Sequence, residues 1–352
     1  MARVTLQTIA DRLGVSRMTV SNAFSRPDQL SHELRQRILG AAEELGYVGP
    51  DPAGRALARG TTGAVGVLLT DALQFAFTDE VATRFLGAVV EELAPTGLAL
   101  TLLTADGGGD VVPARDVAID GAIVYSCRVE SSDREWLLRR KLPLVFVDQN
   151  PVAGIASVNV DDRSGARAAA QHLLDLGHRR VGIITRDIDG PPGPVADPLA
   201  KTFGHPQRER MLGWLEVLES AGVEPTMVQV EHYSDEEAEA VARSLLAADD
   251  RPTAVLCFSD VLALGVVRAA EGLGLTVPAD VSVIGFDDSP VARAITPHLT
   301  TVRQDVAAKG RLAATALTTA IGHVRSNSKA RARHHVLPTE FVVRQSTSRP
   351  PD

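Results

Sequence analysis

Apolar residues recur at helical spacing along the first 47 residues, and this pattern predicts three short helices. The first ends at Gly14, and the second follows Ser16, which is a favourable N-cap. The third begins at Ser31 and ends at Gly46. The apolar positions of the first and third helices are Leu6, Ile9, Ala10, Leu13, Leu34, Ile38, Ala41, Ala42 and Leu45.

Residues 48–60 read as a linker that can form one more helix. Asp51 can cap it, Pro52 suits its first position and Gly60 can end it. Such a helix has about two turns and contains Gly54, and helices this short are marginal alone in water. We therefore expect it to need a partner surface in order to form.

From residue 61 onward, strand-like runs alternate with helical patterns. The runs are GAVGVLL, LALTLL, GAIVYS, LPLVFV, ASVNV, RVGII, TMVQV, TAVLCF, DVSVIGF and HHVLPTEFVV. The helical patterns include Thr78–Ala94, Gly165–Leu176, Gln207–Ala221 and Val261–Gly272. This alternation predicts an α/β fold with parallel sheets and helices on both faces, best divided into two doubly wound subdomains. A ligand would then bind in the cleft beyond the carboxyl ends of the strands.

One segment departs from this pattern. Residues 186–206 contain five prolines and three glycines and have no periodicity. The segment is expected to be either a lid beside the cleft or a disordered excursion, and the sequence leaves its role open.

Charge is distributed unevenly along the 352 residues. The net charge is −8, yet residues 1–60 carry eight arginines, no lysine and six acidic residues, a net charge of +2. A basic head on an acidic body indicates a negatively charged partner for the head.

Cysteine usage and the N-terminus indicate a cytoplasmic protein without a membrane anchor. Cys127 and Cys257, the only cysteines, lie in apolar runs and are expected to be reduced core thiols. The N-terminus lacks the apolar run of a signal peptide, and no stretch approaches 18 apolar residues.

Residues 5–24, TLQTIADRLGVSRMTVSNAF, combine a helix, a glycine turn and a second capped helix, which is the arrangement of a helix-turn-helix. With Val20 and Phe24 turned inward, the second helix would present its other face to the major groove. Arg17, Met18 and Asn22 would then suit guanine, a thymine methyl and adenine. Thr5, Ser16, Thr19 and Ser21 suit phosphate oxygens. On composition alone, a surface helical hairpin that binds no nucleic acid remains the alternative.

Together these segments resemble the lactose/galactose repressor (LacI/GalR) family. The likeness includes VTLQTIADRLGVSRMTVSNAF and LSHELRQRILGAAEELGYVGPDPAGRALARGTT in the head. In the body it includes DLGHRRVGII, RERMLGWLEVLESAG, FSDVLALGVVRAAEGLGLTVPADVSVIGFDD, PHLTTVRQDVAAKG and LPTEFVVRQST, so it covers nearly the whole chain. The resemblance implies a dimeric transcriptional regulator, usually a repressor, that binds a pseudo-palindromic operator in double-stranded DNA under the control of a small effector.

The resemblance also implies a division into domains. The helix-turn-helix head would be 1–47, the hinge helix 48–60, and the periplasmic-binding-protein-like core for effector binding and dimerisation 61–352. Within the core, subdomain one would comprise about 61–160 plus 291–321, and subdomain two about 161–290 plus 322–352.

In the family a hinge leucine wedges into the minor groove at the centre of the operator, and Leu57 stands at the matching position. A packed linker residue is the alternative role for Leu57. Many members have arginine where Asn22 stands, and leucine or valine where Ala23 and Phe24 stand. Base preference is therefore not transferable, and Asn22 can equally lie against a phosphate.

The resemblance places an effector site in the cleft of the core. Arg210 matches the effector arginine, whose guanidinium can donate two parallel hydrogen bonds to a diol or carboxylate. The other expected contacts are Asp71, Phe75, Phe77, Asp148, Asp161, Asp260 and Asp287. The alternatives are a surface position for Arg210 and helix capping for Asp148, Asp161 and Asp260. A carbohydrate-like or nucleoside-like effector best fits this mixture of groups.

Catalysis, a cofactor and a metal site find no support in the sequence motifs. A solute-binding protein for sugar uptake is the main rival, but the missing signal peptide and the head argue against it. A regulator controlled by a partner protein is a second rival. Effector identity, inducer versus co-repressor, the operator and its target genes, and dimer versus tetramer all stay open.

Overall fold

The computed structural model describes residues 4–49, 51–69, 75–104, 110–126, 131–186, 188, 191–199, 204–231, 234–328 and 331–351. The chain forms two compact units, Met1–Gly63 and Ala64–Asp352. In the described ranges no helix is long and apolar enough to cross a membrane.

The first unit is helical, as the periodicity predicts. Its helices are α1 (Leu6–Leu13), α2 (Arg17–Ser25), α3 (His32–Glu44) and α4 (Pro52–Arg59), with a 3₁₀ turn at Pro27–Gln29. Thr5, Ser16 and Ser31 cap the first three helices, each accepting a hydrogen bond from the N–H three residues later. Gly14 ends α1 at a φ of 66°, a left-handed conformation that favours glycine. The buried core consists of Ile9, Ala10, Val20, Ala23, Ile38, Ala41 and Ala42.

The described residues of the second unit form two sheets, and the first of these has six parallel strands. In spatial order the strands are β12 (His334–Leu337), β5 (Ala156–Val160), β4 (Leu144–Val147), β3 (Ala122–Tyr125), β1 (Ala64–Leu69) and β2 (Ala99–Leu103). The helices of this subdomain are α5 (Phe75–Thr78), α6 (Glu80–Leu93), α7 (Pro113–Asp116), α8 (Ser132–Arg139) and α14 (Val306–Arg325). The central strands are buried along their whole length because helices cover both faces.

In the part of the chain that the structure describes, the second sheet has seven strands, parallel in the middle and antiparallel at both edges. In spatial order they are β13 (Thr339–Val342), β11 (Thr300–Gln304), β10 (Ser282–Asp287), β9 (Ala254–Cys257), β6 (Val181–Arg186), β8 (Thr226–Val230) and β7 (Gly193–Pro194). The helices around it are α9 (Asp162–Leu176), α10 (His205–Ser220), α11 (Asp235–Leu246), α12 (Asp260–Gly272) and α13 (Val291–Ala294). The expected α/β class with two doubly wound subdomains is confirmed.

The C-terminal third crosses between the sheets more often than the sequence indicates. β11, within the 291–321 segment expected in subdomain one, pairs with β10 in the second sheet. β12, within the 322–352 segment expected in subdomain two, pairs with β5 in the first sheet. The run HHVLPTEFVV, predicted as one strand, is two strands in different sheets, divided at Pro338. A proline has no N–H for a ladder hydrogen bond, so it suits the point where the chain changes sheets.

The proline-rich segment 186–206 is partly built into the second sheet. Gly193 and Pro194 form the antiparallel edge strand β7 beside β8. The Gln229 side chain forms two hydrogen bonds with this segment. It accepts from the Ile188 N–H at 3.1 Å and donates to the Pro191 carbonyl at 3.0 Å. The described part is thus not a disordered excursion but an edge extension of the second sheet.

Candidate functional site

The exposed face of α2 carries two of the predicted base-reading side chains. Arg17 is exposed, and 69% of the Met18 surface is accessible. Thr19 is half-buried because its hydroxyl lies 2.8 Å from the Ser16 hydroxyl, beside the N-cap. Arg17 and Met18 are therefore the residues of this turn best placed to contact another molecule.

The second turn of α2 is less open than expected. Ser21 and Asn22 are half-buried, and the Asn22 amide donates to the Gln29 side-chain oxygen at 3.1 Å. Ala23 joins the buried core together with Val20, whereas Phe24 is half-buried against Tyr47, with 5.7 Å between ring centroids. The side of α2 that faces the core therefore includes Ala23, three residues after Val20, as well as Phe24, four residues after it, which the sequence predicts.

Helix α4 has the boundaries that the linker sequence predicts. The Asp51 carboxylate accepts from the Ala53 N–H at 2.8 Å, Pro52 occupies the first turn and Gly60 ends the helix at a φ of 68°. Leu57 is 88% exposed, which is unusual for a leucine on so short a helix. An apolar side chain held on a capped helix and facing solvent is available to a partner surface.

In the core, Arg210 is almost completely buried at the cleft end of the second sheet. Its Nε donates to Asp162 Oδ1 at 2.8 Å, and its Nη2 donates to Asp287 Oδ1 at 3.3 Å. The guanidinium also lies over the Phe286 ring, 3.5 Å from the centroid. Gly213 allows this placement, because a Cβ there would collide with the Arg163 carbonyl and force α10 away from α9.

The two carboxylates around Arg210 resist ionisation. Burial raises the pKa of Asp162, and the neighbouring Arg210 only partly opposes this effect. Burial also raises the pKa of Asp287 to about 6, against the lowering effects of Arg210 and a hydrogen bond from Gln304. These groups are held by the fold in spite of a desolvation cost, which is typical of functional sites.

A second buried cation, Lys309, extends the cluster into subdomain one. Its Nζ donates to Asp148 Oδ2 at 2.6 Å and to Gln304 Oε1 at 2.9 Å, while the Gln304 amide donates to Asp287 Oδ1 at 2.7 Å. The result is one continuous chain of polar contacts from Asp148 through Lys309, Gln304, Asp287 and Arg210 to Asp162, which we call the cleft network.

Sequence reasoning missed three members of the cleft network: Asp162, Gln304 and Lys309. Lys309 did carry a signal, since it is a lone lysine in the apolar helical run VAAKGRLAA and lysine is almost never buried without a partner. Asp162 was overlooked in favour of its neighbour Asp161. The structure gives Asp161 the capping role, because it accepts from the Ser164 N–H at 3.1 Å and begins α9.

Backbone conformation also singles out the cleft network. Asp148 has a φ of 54° and Asp287 a φ of 105°, both in the region that favours glycine. Such conformations cost about 1–3 kcal/mol each and persist at sites where the surrounding structure fixes them. Asp148 directly follows β4 and Asp287 is the last residue of β10, and both carboxylates belong to the network.

Several acceptor atoms in this region receive no hydrogen bond from the described residues. They are Asp148 Oδ1, Gln149 Oε1 and Asp162 Oδ2, and all three are buried. Leaving buried acceptors without donors costs about 1–3 kcal/mol each. A ligand that brings hydroxyl or amide donors would satisfy them.

Asp260 is the first residue of α12, at the position expected after the run TAVLCF. Its carboxylate is completely buried and accepts from Thr301 Oγ1 at 2.6 Å and from the Ser289 N–H at 2.7 Å. Ser259, not Asp260, caps α12. Burial, followed by repulsion from Asp287, raises the pKa of Asp260 well above its usual range. Asp260 therefore links α12 to β11, and it lies near Asp287 of the cleft network.

Of the three remaining expected contacts, only Phe77 has a side chain that the structure describes. Asp71 lies outside the described residues, and Phe75 begins the short helix α5 with no description of its side chain. Phe77, on the same helix, is 68% exposed. Cys127 also lies outside the described residues, while Cys257 is a buried free thiol. Among the described residues, no cluster of three or more His, Cys, Asp or Glu could hold a metal ion.

His205 connects the two subdomains near the cleft network. Its Nδ1 lies 2.9 Å from Asn150 Oδ1, and its Nε2 lies 3.4 Å from Asn159 Nδ2. Both contacts are satisfied if Nδ1 donates and Nε2 accepts. His205 begins α10, the helix that carries Arg210, whereas both asparagines belong to subdomain one. His205 thus connects subdomain one directly to the helix that carries Arg210.

A helix-turn-helix head joined to a two-subdomain core with a buried polar cleft is typical of a DNA-binding regulator. Residues 5–49 match the model of the bacterial regulatory proteins of the lacI family, and residues 170–347 match a periplasmic binding protein-like domain. The chain belongs to the LacI family and is a DNA-binding transcriptional regulator.

Relatives and solved structures agree with this assignment. An HTH-type transcriptional regulator of Mycolicibacterium smegmatis is 38% identical over 99% of this chain and 97% of its own. The regulator IpsA of Corynebacterium glutamicum is 38% identical over 87% of this chain and 88% of its own. A crystal structure of a LacI family regulator from the same species has a TM-score of 0.71 at 34% identity and covers 99% of both chains. These relatives are regulators and not enzymes, as expected for this chain.

Proposed function

We propose that this regulator is a dimeric repressor that binds a pseudo-palindromic operator and is controlled by a small, hydroxyl-rich effector bound at the cleft network. The observation that carries the effector proposal is the set of buried acceptors without donors beside Arg210 and Lys309. As a regulator of transcription, it would act in the cytoplasm.

On the DNA side, Arg17 and Met18 would contact base edges in the major groove, because they are the exposed side chains of the first turn of α2. Asn22 would have to break its hydrogen bond to Gln29 in order to contact a base edge, so a contact to a phosphate suits it equally well. Leu57 would enter the minor groove as an apolar wedge. Contacts to phosphate oxygens would come from Thr5, Ser16, Thr19 and Ser21.

On the effector side, the chemistry favours a neutral ligand with several hydroxyls. Asp148, Asp162 and Asp287 outnumber the two cations of the cleft network, so an anionic ligand would meet a surplus of carboxylates. Hydroxyl donors match the acceptors that lack partners. A related regulator, CelR, has been solved as a complex with cellobiose and is 27% identical to this chain. A sugar or a nucleoside is therefore the proposed class.

Control would follow from two arrangements of the subdomains. One arrangement keeps the His205 contacts and the Lys309–Gln304 contact, which connect the two subdomains. A ligand shifts the balance only by binding one arrangement more tightly than the other. That difference decides whether the effector releases the operator or strengthens its binding.

A thermal-shift screen of the full chain tests the effector proposal. We expect one class of neutral sugars, polyols or nucleosides to raise the unfolding midpoint, since ligand at about 100 times its Kd stabilises a protein by about 2.7 kcal/mol. The same compound should change operator affinity in fluorescence anisotropy. Hits confined to apolar or anionic compounds would contradict the proposal. A well-folded protein with no hit would instead favour control by a partner protein.

Arg17→Ala should relax base preference at one position of each half-site, because an exposed guanidinium can donate two hydrogen bonds to guanine. The expected loss of discrimination is about 1–3 kcal/mol, measured by anisotropy against a set of single-base operator variants. Arg37→Ala, an exposed arginine on α3, is the matched control. If Arg17→Ala weakens every operator variant equally, Arg17 contacts a phosphate.

A further inference from the structure

A groove lies on subdomain one at the end of the sheet opposite the cleft network. Leu144 and Ala156, the first residues of β4 and β5, lie at its base, whereas the cleft network begins beyond the last residues of those strands. The groove has a volume of about 870 Å³, within the range of roughly 300–1,000 Å³ that is common for small-molecule sites. Its apolar lining includes Leu138, Leu142, Ile155, Leu312, Ala316 and Ala320.

Cationic side chains line the same groove. Lys141, Arg331 and Arg333 are exposed at it, and His323 and His335 line it as half-buried side chains. In the described part of the chain, Lys141, Arg331 and Arg333 form no ion pair, and the described lining contains no aspartate or glutamate. The groove thus combines an apolar lining, which we call its floor, with positive charges that have no acidic partner among the described residues.

We propose that this groove binds a small anionic amphiphile, meaning an apolar chain or ring system that carries a carboxylate or phosphate. Burial of the apolar body against the half-buried floor would provide most of the affinity, at about 25 cal/mol per Å². The arginines would receive the anionic head, since a guanidinium matches carboxylate and phosphate geometry. Nucleic acid fits less well, because phosphates would engage the cations and leave the apolar floor uncovered.

Helix α14 connects this groove to the cleft network. Lys309 lies in its first turns, and Leu312, Ala316, Ala320 and His323 line the groove further along. At 1.5 Å per residue, Lys309 and Ala320 are about 16 Å apart along the axis. A ligand in the groove therefore contacts the same rigid element that holds the cation of the cleft.

Isothermal titration of the full chain with sodium decanoate tests the proposal. We expect saturable binding at one site per chain, weakened at least tenfold by the double substitution Arg331→Glu and Arg333→Glu. Arg311→Glu, an exposed arginine on α14 that does not line the groove, should leave decanoate binding unchanged. The neutral 1-decanol and the short anion acetate should each bind at least tenfold more weakly than decanoate.

A second variant tests the floor separately from the charges. Ala316→Phe should obstruct the groove and weaken decanoate binding to a similar extent, with far-UV circular dichroism and operator binding as checks of folding. The proposal is overturned if decanoate shows no saturable binding, or if the charge reversal and Ala316→Phe both leave it unchanged. Binding of a glutamate-rich peptide without binding of decanoate would also overturn it, since the groove would then be a protein-docking surface. None of these outcomes depends on the effector site.

Discussion

Arg210→Ala should lower the free energy of unfolding of the second unit by about 3–5 kcal/mol, the usual cost of removing one partner of a buried ion pair. Arg210 is the cation beside both Asp162 and Asp287, and its removal leaves these buried carboxylates facing each other without it. Urea denaturation of the full chain at pH 7 measures the loss. Arg208→Ala, an exposed arginine on the same helix, should change stability by no more than about 0.5 kcal/mol.

The same variant should also lose its effector response, because the central donor of the cleft network is absent. An operator-release assay with the effector found by the screen measures this loss, with Arg208→Ala again as the control. If the Arg210→Ala variant unfolds at the same urea concentration as the wild type and still responds to the effector, then Arg210 does not contact the effector.

The stability loss of Arg210→Ala should be smaller at pH 5 than at pH 7. Asp162 and Asp287 already have raised pKa values, and loss of the cation raises them further. A carboxyl with a raised pKa in the folded state contributes stability below that pKa, which is lost as the pH rises through it. Because the pKa of Asp287 is already about 6, this carboxyl is largely protonated at pH 5, and the raised pKa of Asp162 acts in the same direction, so less charge is buried at pH 5 than at pH 7. Equal losses at both pH values would mean that the arginine acts through packing on Phe286.

Leu57→Ala should weaken operator binding by about tenfold or more. Leu57 is almost fully exposed on α4, so it would become buried only when it contacts bases in the operator. Burial of such a side chain contributes about 1.5–3 kcal/mol to the binding free energy. Fluorescence anisotropy with the operator at fixed salt measures the change. Leu57→Met should retain most of the affinity, since it preserves an apolar side chain of similar volume.

Val48→Ala is the matched control for Leu57→Ala. Val48 is fully exposed in the linker but precedes α4, so its truncation removes apolar surface without removing the proposed wedge. Effector-induced thermal stabilisation of the core should be unchanged in both variants. Equal operator affinity for Leu57→Ala and the wild type would show that the leucine is a packed linker residue and not a wedge.

Local sequence predicted the head and linker in detail. Ser16 and Asp51 cap α2 and α4 as their positions indicate, and Gly14 and Gly60 end helices in left-handed conformations. These features depend on hydrogen bonds between residues a few positions apart, so the local sequence is enough to predict them. The strand–helix alternation predicted the parallel sheets because a helix between two strands returns the chain so that the second strand runs in the same direction as the first.

The cleft could be placed from the sequence only by resemblance to a family. That reasoning singled out Asp148, Arg210 and Asp287, which are members of the cleft network, but it chose Asp161 where Asp162 meets Arg210. A helix N-terminus brings successive residues to different faces, and adjacent aspartates cannot be distinguished without the packing of α10 on α9.

The sequence by itself determined the strand–helix alternation of the core apart from β7, β11 and the division between β12 and β13, together with the capped DNA-binding head and the charge asymmetry between head and body. Only the tertiary structure decided that Lys309 meets Asp148, 161 residues away in the chain, that Asp260 is enclosed by Thr301 and Ser289, and that the chain changes sheets at Pro338. The physical reason is range. Capping and amphipathic periodicity act within a few residues, whereas the pairing of buried charges depends on which distant segments the packed sheets bring together.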